Sequence, residues 1–389
     1  MASNLEKHLQ NKLEKRKIEN NLRLLSSSNP NNIDFFSNDY LGLARNEELQ
    51  NSILEEYKIQ SQRFKASRNG STGSRLLSGH HAYFEELETE LAHFFKGQKA
   101  LFFGSGYHAN VALLSAVLTR NDVILYDNLV HASLKEGYRL SAAKHFSFKH
   151  NDTKDLEKKI IRIKNNSEHQ TLLVVVESVY SMDGDIAPLQ KLVEICEKYE
   201  ANLVVDEAHS TGIFGENGNG LITELELEKR VFARIHTFGK AFGTQGAAIL
   251  GNSTLIDYLI NFSLPFIYTT APPLFQLVSV KKAMDFLKVH QKKLAKKLNN
   301  NIKLFGNQSQ SGSKTPIQII PIEGNAVCQR VASLLQDEGF EVRAIKSPTV
   351  RKGDERLRIC LHSFNTEEEI NRLHQTLASI KKQVKFQNF

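Results

Sequence analysis

The 389-residue chain has no tryptophan, three methionines and three cysteines. Cys196, Cys328 and Cys360 are odd in number and form no CxxC pair, which excludes a disulfide framework and a zinc ribbon and fits a reducing cytoplasm. No apolar run approaches the roughly 18 residues that a membrane helix needs. The N-terminal MASNLEKHLQNKLEKRK carries charges every few residues where a signal peptide would be apolar. No export, anchor or spanning segment is therefore expected, nor a metal site.

What is present is ordinary for a folded chain: hydrophobic residues make up 41% and charged residues 24%, which excludes a disordered or collagen-like polymer. The length exceeds the roughly 100–200 residues of one domain. Fifty Lys and Arg against 43 Asp and Glu leave a formal charge of +7. Taken alone, that excess leaves nucleic acid, a membrane surface or an acidic substrate open as partners.

Residues 1–25 read as a polar helical arm with Leu5, Leu9 and Leu13 on one stripe, ended by the loop SSSNPNN at 26–32. From about residue 80 helix and strand patterns alternate. YFEELETELAHFF (83–95), ANVALLSAVL (109–118) and APLQKLVEICEKY (187–199) have helical spacing. ALFF (100–103), VILYD (123–127), TLLVVVES (171–178), NLVVDEA (202–208), RIHTF (234–238) and AAIL (247–250) are short apolar runs. Such runs predict an α/β fold whose mainly parallel sheet is covered by helices on both faces. Pro272, Pro273 and the basic stretch 288–303 mark a composition change. The expected division is an arm at 1–45, a large domain at 46–280 and a smaller α+β domain at 281–389.

Ligands of open α/β sheets sit outside the carboxyl ends of the strands, so the residues after each strand carry the chemistry. GSGYHA (104–109) opens a helix, and with Asp122 or Asp127 as the ribose acid a nicotinamide enzyme is one reading. Phosphate held by backbone N–H groups is the more general one. DEAH (206–209) is spelled like a helicase box, but the chain has no GxxxxGK[ST] to cradle a nucleotide. Lys240, directly after a strand in FGKAFG, has the short tether and crowded setting that suit Schiff-base chemistry. Asp206 ends an apolar strand, where a carboxylate costs several kcal/mol unless a cation or donor pairs with it. A protonated pyridine nitrogen is such a partner, with His209 three residues on to reach the cofactor's phenolic oxygen.

These residues, with SNDYLGL (37–43), GSTGSRLLSGHH (70–81), HASL (131–134), ESVYSMDGD (177–185), VDEAHSTGIFG (205–215), HTFGKAFG (236–243) and LRICL (357–361), resemble the pyridoxal phosphate-dependent α-oxoamine synthases of fold type I. The resemblance spans roughly residues 37–365 and is strongest to the biotin-pathway branch. It implies a seven-stranded sheet, pyridoxal 5'-phosphate as cofactor, and L-alanine with a pimeloyl thioester of coenzyme A or a carrier protein as substrates. Glycine- and serine-using members are the alternatives.

By the same resemblance Lys240 holds the cofactor, Asp206 pairs with its ring nitrogen, and His209 and Ser181 lie near its phenolic oxygen. His131 stacks on the ring and polarises the acyl carbonyl. Gly106, Tyr107 and Thr237 bind the phosphate, joined by Thr269 or Thr270 from a second subunit, which implies a homodimer with shared sites and recasts GSGYHA as a phosphate nest. Arg358 and Asn38 take the amino acid's carboxylate, and Arg23 and Thr349 contact the acyl substrate. Neither nucleic acid nor membrane is then needed as a partner.

Overall fold

The computed structural model describes residues 3–25, 27–165, 171–309 and 312–384. Ser26 of the expected loop lies outside them. The chain forms two compact units, one of residues 41–181 and 186–295, the other of residues 1–40, 182–185 and 296–389.

In the larger unit seven strands make one sheet: β1 (Lys99–Phe103), β2 (Val123–Asp127), β3 (Lys144–Phe148), β4 (Leu172–Glu177), β5 (Asn202–Asp206), β6 (Ala233–Thr237) and β7 (Ala247–Gly251). Their order is β1-β7-β6-β5-β4-β2-β3. Only β7 runs against its neighbours, so the carboxyl ends of β1 to β6 share one edge. Every residue of β4 and β6 is buried, as a sheet covered on both faces requires. Helices Gly106–Ala116, Ala132–Leu140, Thr153–Asn165 and Leu189–Lys198 connect the parallel strands. Gly106–Ala116 is capped by Ser105 and buries six consecutive residues, Ala109 to Leu114. A helix apolar on all sides belongs in the interior, and here it carries Asn110 there with it.

In the smaller unit Arg343–Ile345, Arg356–Cys360 and Ile317–Pro321 form an antiparallel sheet with Arg356–Cys360 in the centre. Ile33–Asp34 pairs with Phe340–Glu341, and the Cys360 N–H donates to the Phe35 carbonyl at 2.8 Å. Gly184, at φ +72°, ties in the 182–185 segment: a Cβ there would lie 2.2 Å from the Ile317 carbonyl oxygen. The Thr315 hydroxyl donates to the Gly184 carbonyl at 2.8 Å.

The units differ from the expected domains in three places, the first being residues 182–185, which belong with the C-terminal unit. Residues up to Tyr40, expected to form an arm of their own, join the C-terminal unit through the 33–34 pairing. The chain passes between units at residues 295–296, inside the continuous helix Leu274–Ser309. The proline pair precedes that helix, and its lysines are helix-compatible, so neither breaks the chain at 280. The expected 1–25 helix is observed as Asn4–Ile18, with a Ser3–Glu6 capping box and no buried residue. Among the described residues no helix is long and apolar enough to cross a membrane.

Candidate active site

Polar residues end the central strands of the larger unit, where each strand leaves its apolar cover. Asp127 ends β2, Glu177 ends β4, Asp206 ends β5 and Thr237 ends β6. Glu177 and Asp206 are direct partners across the sheet. Burial holds the Glu177 carboxyl well above the usual range, and the Asp206 charge pushes it further the same way. Asp206 itself is 3% exposed and is met by two neutral donors. The Asn110 amide donates to its Oδ2 at 2.8 Å and the Ala208 N–H to its Oδ1 at 2.9 Å. Such donors stabilise a buried carboxylate by about 1.5–3 kcal/mol each. They leave its negative charge in place, a site suited to a cation. His209 and Ser181, in the loops after β5 and β4, are both buried.

Lys240 is displayed by its neighbours. Phe238 and Phe242 on either side are fully buried with ring centroids 5.0 Å apart, and Phe238 stacks on Phe102. The lysine between them is half-buried, and its Nζ donates to Thr237 Oγ1 at 3.3 Å. The alternation F-G-K-A-F thus fixes a loop by two anchors and leaves the amine at the strand edge. Lys240 and Asp206 both act electrostatically on His131. His131 is exposed at the start of helix Ala132–Leu140. Desolvation of its ring lowers its pKa below the ordinary imidazole value. Asp206 opposes that shift, while Lys240 and Lys135 reinforce it.

The Gly-rich turn meets Thr237 closely: a Cβ at residue 106 would lie 2.5 Å from the Thr237 Cγ2 methyl. Only glycine lets this helix N-terminus, where N–H groups lack intrahelical partners, approach the Thr237 side chain so closely. Tyr107 follows, half exposed. Thr269 and Thr270 are exposed and line a cavity of about 260 Å³ with Arg75, Ser105 and His108.

In the smaller unit Arg358, 5% exposed, is held by short polar contacts. Its Nη2 donates to Asn38 Oδ1 at 2.9 Å and to the Tyr40 hydroxyl at 3.3 Å, and its Nη1 meets Cys360 Sγ at 2.8 Å. Burial raises the Tyr40 pKa, so the contact is a neutral phenol. Arg23 and Thr349, 326 residues apart, are joined by a 3.2 Å hydrogen bond from Arg23 Nη2 to Thr349 Oγ1.

Two expectations from the dinucleotide reading are corrected. Asp122 accepts hydrogen bonds from the Thr119 N–H and hydroxyl and from the Thr171 N–H. Asp127 accepts from the Leu129 and Asn151 N–H groups and bonds the His150 ring. Both carboxylates fasten loops. Conversely, Asn110, Ser133, Glu177 and Tyr40 join the polar networks although sequence reasoning passed over them. The only signal for Asn110 was a polar residue inside an apolar helix, and Ser133, in a helix of mixed polarity, had none.

The sequence pattern of the aminotransferase class I and II family matches residues 30–377. The 8-amino-7-oxononanoate synthase of Emericella nidulans is 38% identical over 380 residues, covering 92% of this chain and 90% of that protein. Among solved structures, 8-amino-7-oxononanoate synthase from Francisella tularensis is 28% identical with a TM-score of 0.76, covering 91% of this chain and 99% of that one. A structure of SPT with pyridoxal phosphate is 24% identical with a TM-score of 0.88, covering 99% of this chain and 100% of that one, and speaks for the fold alone.

Proposed function

The chain belongs to the aminotransferase class I and II family, and from that membership we propose that it condenses L-alanine with a pimeloyl thioester to 8-amino-7-oxononanoate, a step of biotin biosynthesis. The new C–C bond joins the alanine Cα to the thioester carbonyl carbon, and the thiol and carbon dioxide leave. It is a transferase of fold type I that takes an amino acid and an acyl thioester, and its cofactor is pyridoxal 5'-phosphate.

One observation carries the reading: adjacent parallel strands β5 and β6 end in a buried carboxylate, Asp206, and in the loop of Lys240, beside a cradle that a Cβ at Gly106 would fill. These residues fit the cofactor's three demands, for an amine, an anion beside its ring nitrogen and a phosphate nest. When bound, pyridoxal phosphate supplies an electron sink for charge developing at the amino acid's Cα.

The chain's own groups do the rest. Lys240 would hold the cofactor covalently, and its Nζ is the amine that would accept the substrate's Cα proton. Asp206 would pair with the protonated ring nitrogen, and His209 and Ser181 would hydrogen-bond the phenolic oxygen. The Gly106 and Tyr107 N–H groups and the Thr237 hydroxyl would hold the phosphate, with Thr269 or Thr270 contributed by the partner subunit of a homodimer. His131 would cover the cofactor ring and donate to the acyl carbonyl. Arg358, with Asn38, receives the amino acid's carboxylate in the bidentate manner that a guanidinium favours. Arg23 and Thr349 act together on the acyl substrate, as their hydrogen bond suggests. We assign the enzyme to the cytoplasm, where its three free, buried cysteines stay reduced.

A steady-state screen of alanine, glycine and serine against pimeloyl, acetyl, succinyl and palmitoyl thioesters tests the substrate pair. Alanine with the pimeloyl thioester is expected to give the highest kcat/KM. Strict dependence on glycine or serine would defeat the assignment.

A further inference from the structure

Four polar residues form one chain from the sheet edge to the exposed imidazole. The Asn110 amide nitrogen, on a residue 2% exposed, has two protons and two acceptors: Asp206 Oδ2 at 2.8 Å and Ser133 Oγ at 2.9 Å. Reversing the amide would set its oxygen against an acceptor-only carboxylate, so its orientation is determined. Ser133 Oγ accepts from Asn110 and lies 2.7 Å from the Nδ1 of the fourth member, His131; the Ser133 backbone N–H can only donate to that nitrogen, which makes Nδ1 an acceptor and turns the hydroxyl proton towards it. The Ser133 backbone N–H approaches the same Nδ1 at 3.2 Å. His131 Nδ1 therefore faces two donors, and a proton placed on it would face both of them.

We propose that Asn110 and Ser133 are positioning residues that hold His131 neutral with its proton on Nε2, so that it serves as a hydrogen-bond donor to the acyl carbonyl and not as a base. The inference rests on the acyl-transfer reading above and adds two residues to it. The groups bearing on the ring are Asp206, which favours its protonation, Lys240 and Lys135, which oppose it, and Glu177, which accepts the His131 backbone N–H at 2.5 Å. The Asp206 charge alone would draw a proton onto the ring. The relay answers it by presenting donors to Nδ1.

The test is long-range proton–nitrogen correlation NMR on the full chain labelled with nitrogen-15 histidine and loaded with pyridoxal phosphate, His131 being assigned by loss of its signals in His131→Gln. The wild type is expected to show a protonated Nε2 and an acceptor Nδ1 from pH 7 to 9. Ser133→Ala removes one hydrogen bond to the neutral ring, so the His131 pKa is expected to rise by about one unit. The acid limb of kcat/KM for the thioester should move with it, and Ser133→Thr, which keeps the hydroxyl, should restore both. A proton on Nδ1 in the wild type, or a Ser133→Ala profile equal to the wild type, overturns the proposal. Should the variant fail to fold, the wild-type tautomer still decides. A protein that takes up no pyridoxal phosphate would sink the cofactor reading instead, and the tautomer measured on that unloaded protein would judge the relay separately.

Discussion

Gly106 and Thr237 approach so closely that a Cβ on residue 106 would lie 2.5 Å from the threonine methyl. The contact joins the first residue of a buried helix to the last residue of β6. Gly106→Ala must push the helix N-terminus and the Thr237 side chain apart. Titration with pyridoxal phosphate is expected to show a Kd at least about tenfold weaker, roughly 1.4 kcal/mol. The melting temperature should change little. Unaltered affinity would remove the phosphate site from this turn.

Asp206→Asn keeps an oxygen for the Asn110 amide and removes the charge. Circular dichroism should match the wild type while kcat falls by roughly 100-fold or more, as for other losses of a group aimed at developing charge. Retention of most activity would show that the carboxylate has no part in tuning the cofactor.

For Arg358→Lys the expectation is a split between substrates. Lysine cannot meet Asn38, Tyr40 and Cys360 while also offering a forked pair of donors. The KM for the amino acid should rise by about tenfold or more and that for the thioester should hold. An equal rise in both would contradict the carboxylate role.

Acid stability is expected to depend on His81. Its ring lies between Phe64 and Phe84 with both nitrogens buried and unpartnered. Desolvation first, then His80, Arg75 and Arg63, push its pKa down from 6.5 to about 4. The unfolded chain therefore binds a proton that the native state refuses, and stability falls as pH drops from 6.5 towards 4. His236 and His362, also lowered by burial, act in the same direction. Both remain in His81→Leu, so its smaller loss of denaturation midpoint between pH 7 and pH 5 isolates His81. An identical loss in both proteins would refute the assignment.

The strands bearing the site could be read directly because a doubly covered sheet makes them apolar throughout, so that Asp206 and the loop of Lys240 stand out at their ends. β3 escaped notice for the opposite reason. KHFSF is an edge strand with its first three residues exposed, and its mixed polarity looks like a loop. The helix Leu274–Ser309 was obscured by Pro272, Pro273 and a run of lysines, features that suit a helix start and a solvated face as well as a linker. Asn110 was invisible as a functional residue because its partners, Asp206 and Ser133, come from other elements, 96 and 23 residues away, whereas Ser133 stands only two residues from His131 and lacked a signal of its own.

The covalent anchor is the central claim, and borohydride reduction of the cofactor-loaded protein followed by peptide mass spectrometry tests it most directly. The account predicts a pyridoxyl group on Lys240, absent from Lys240→Ala together with the visible absorption band. A pyridoxyl group on a different lysine, or none at all, would contradict it.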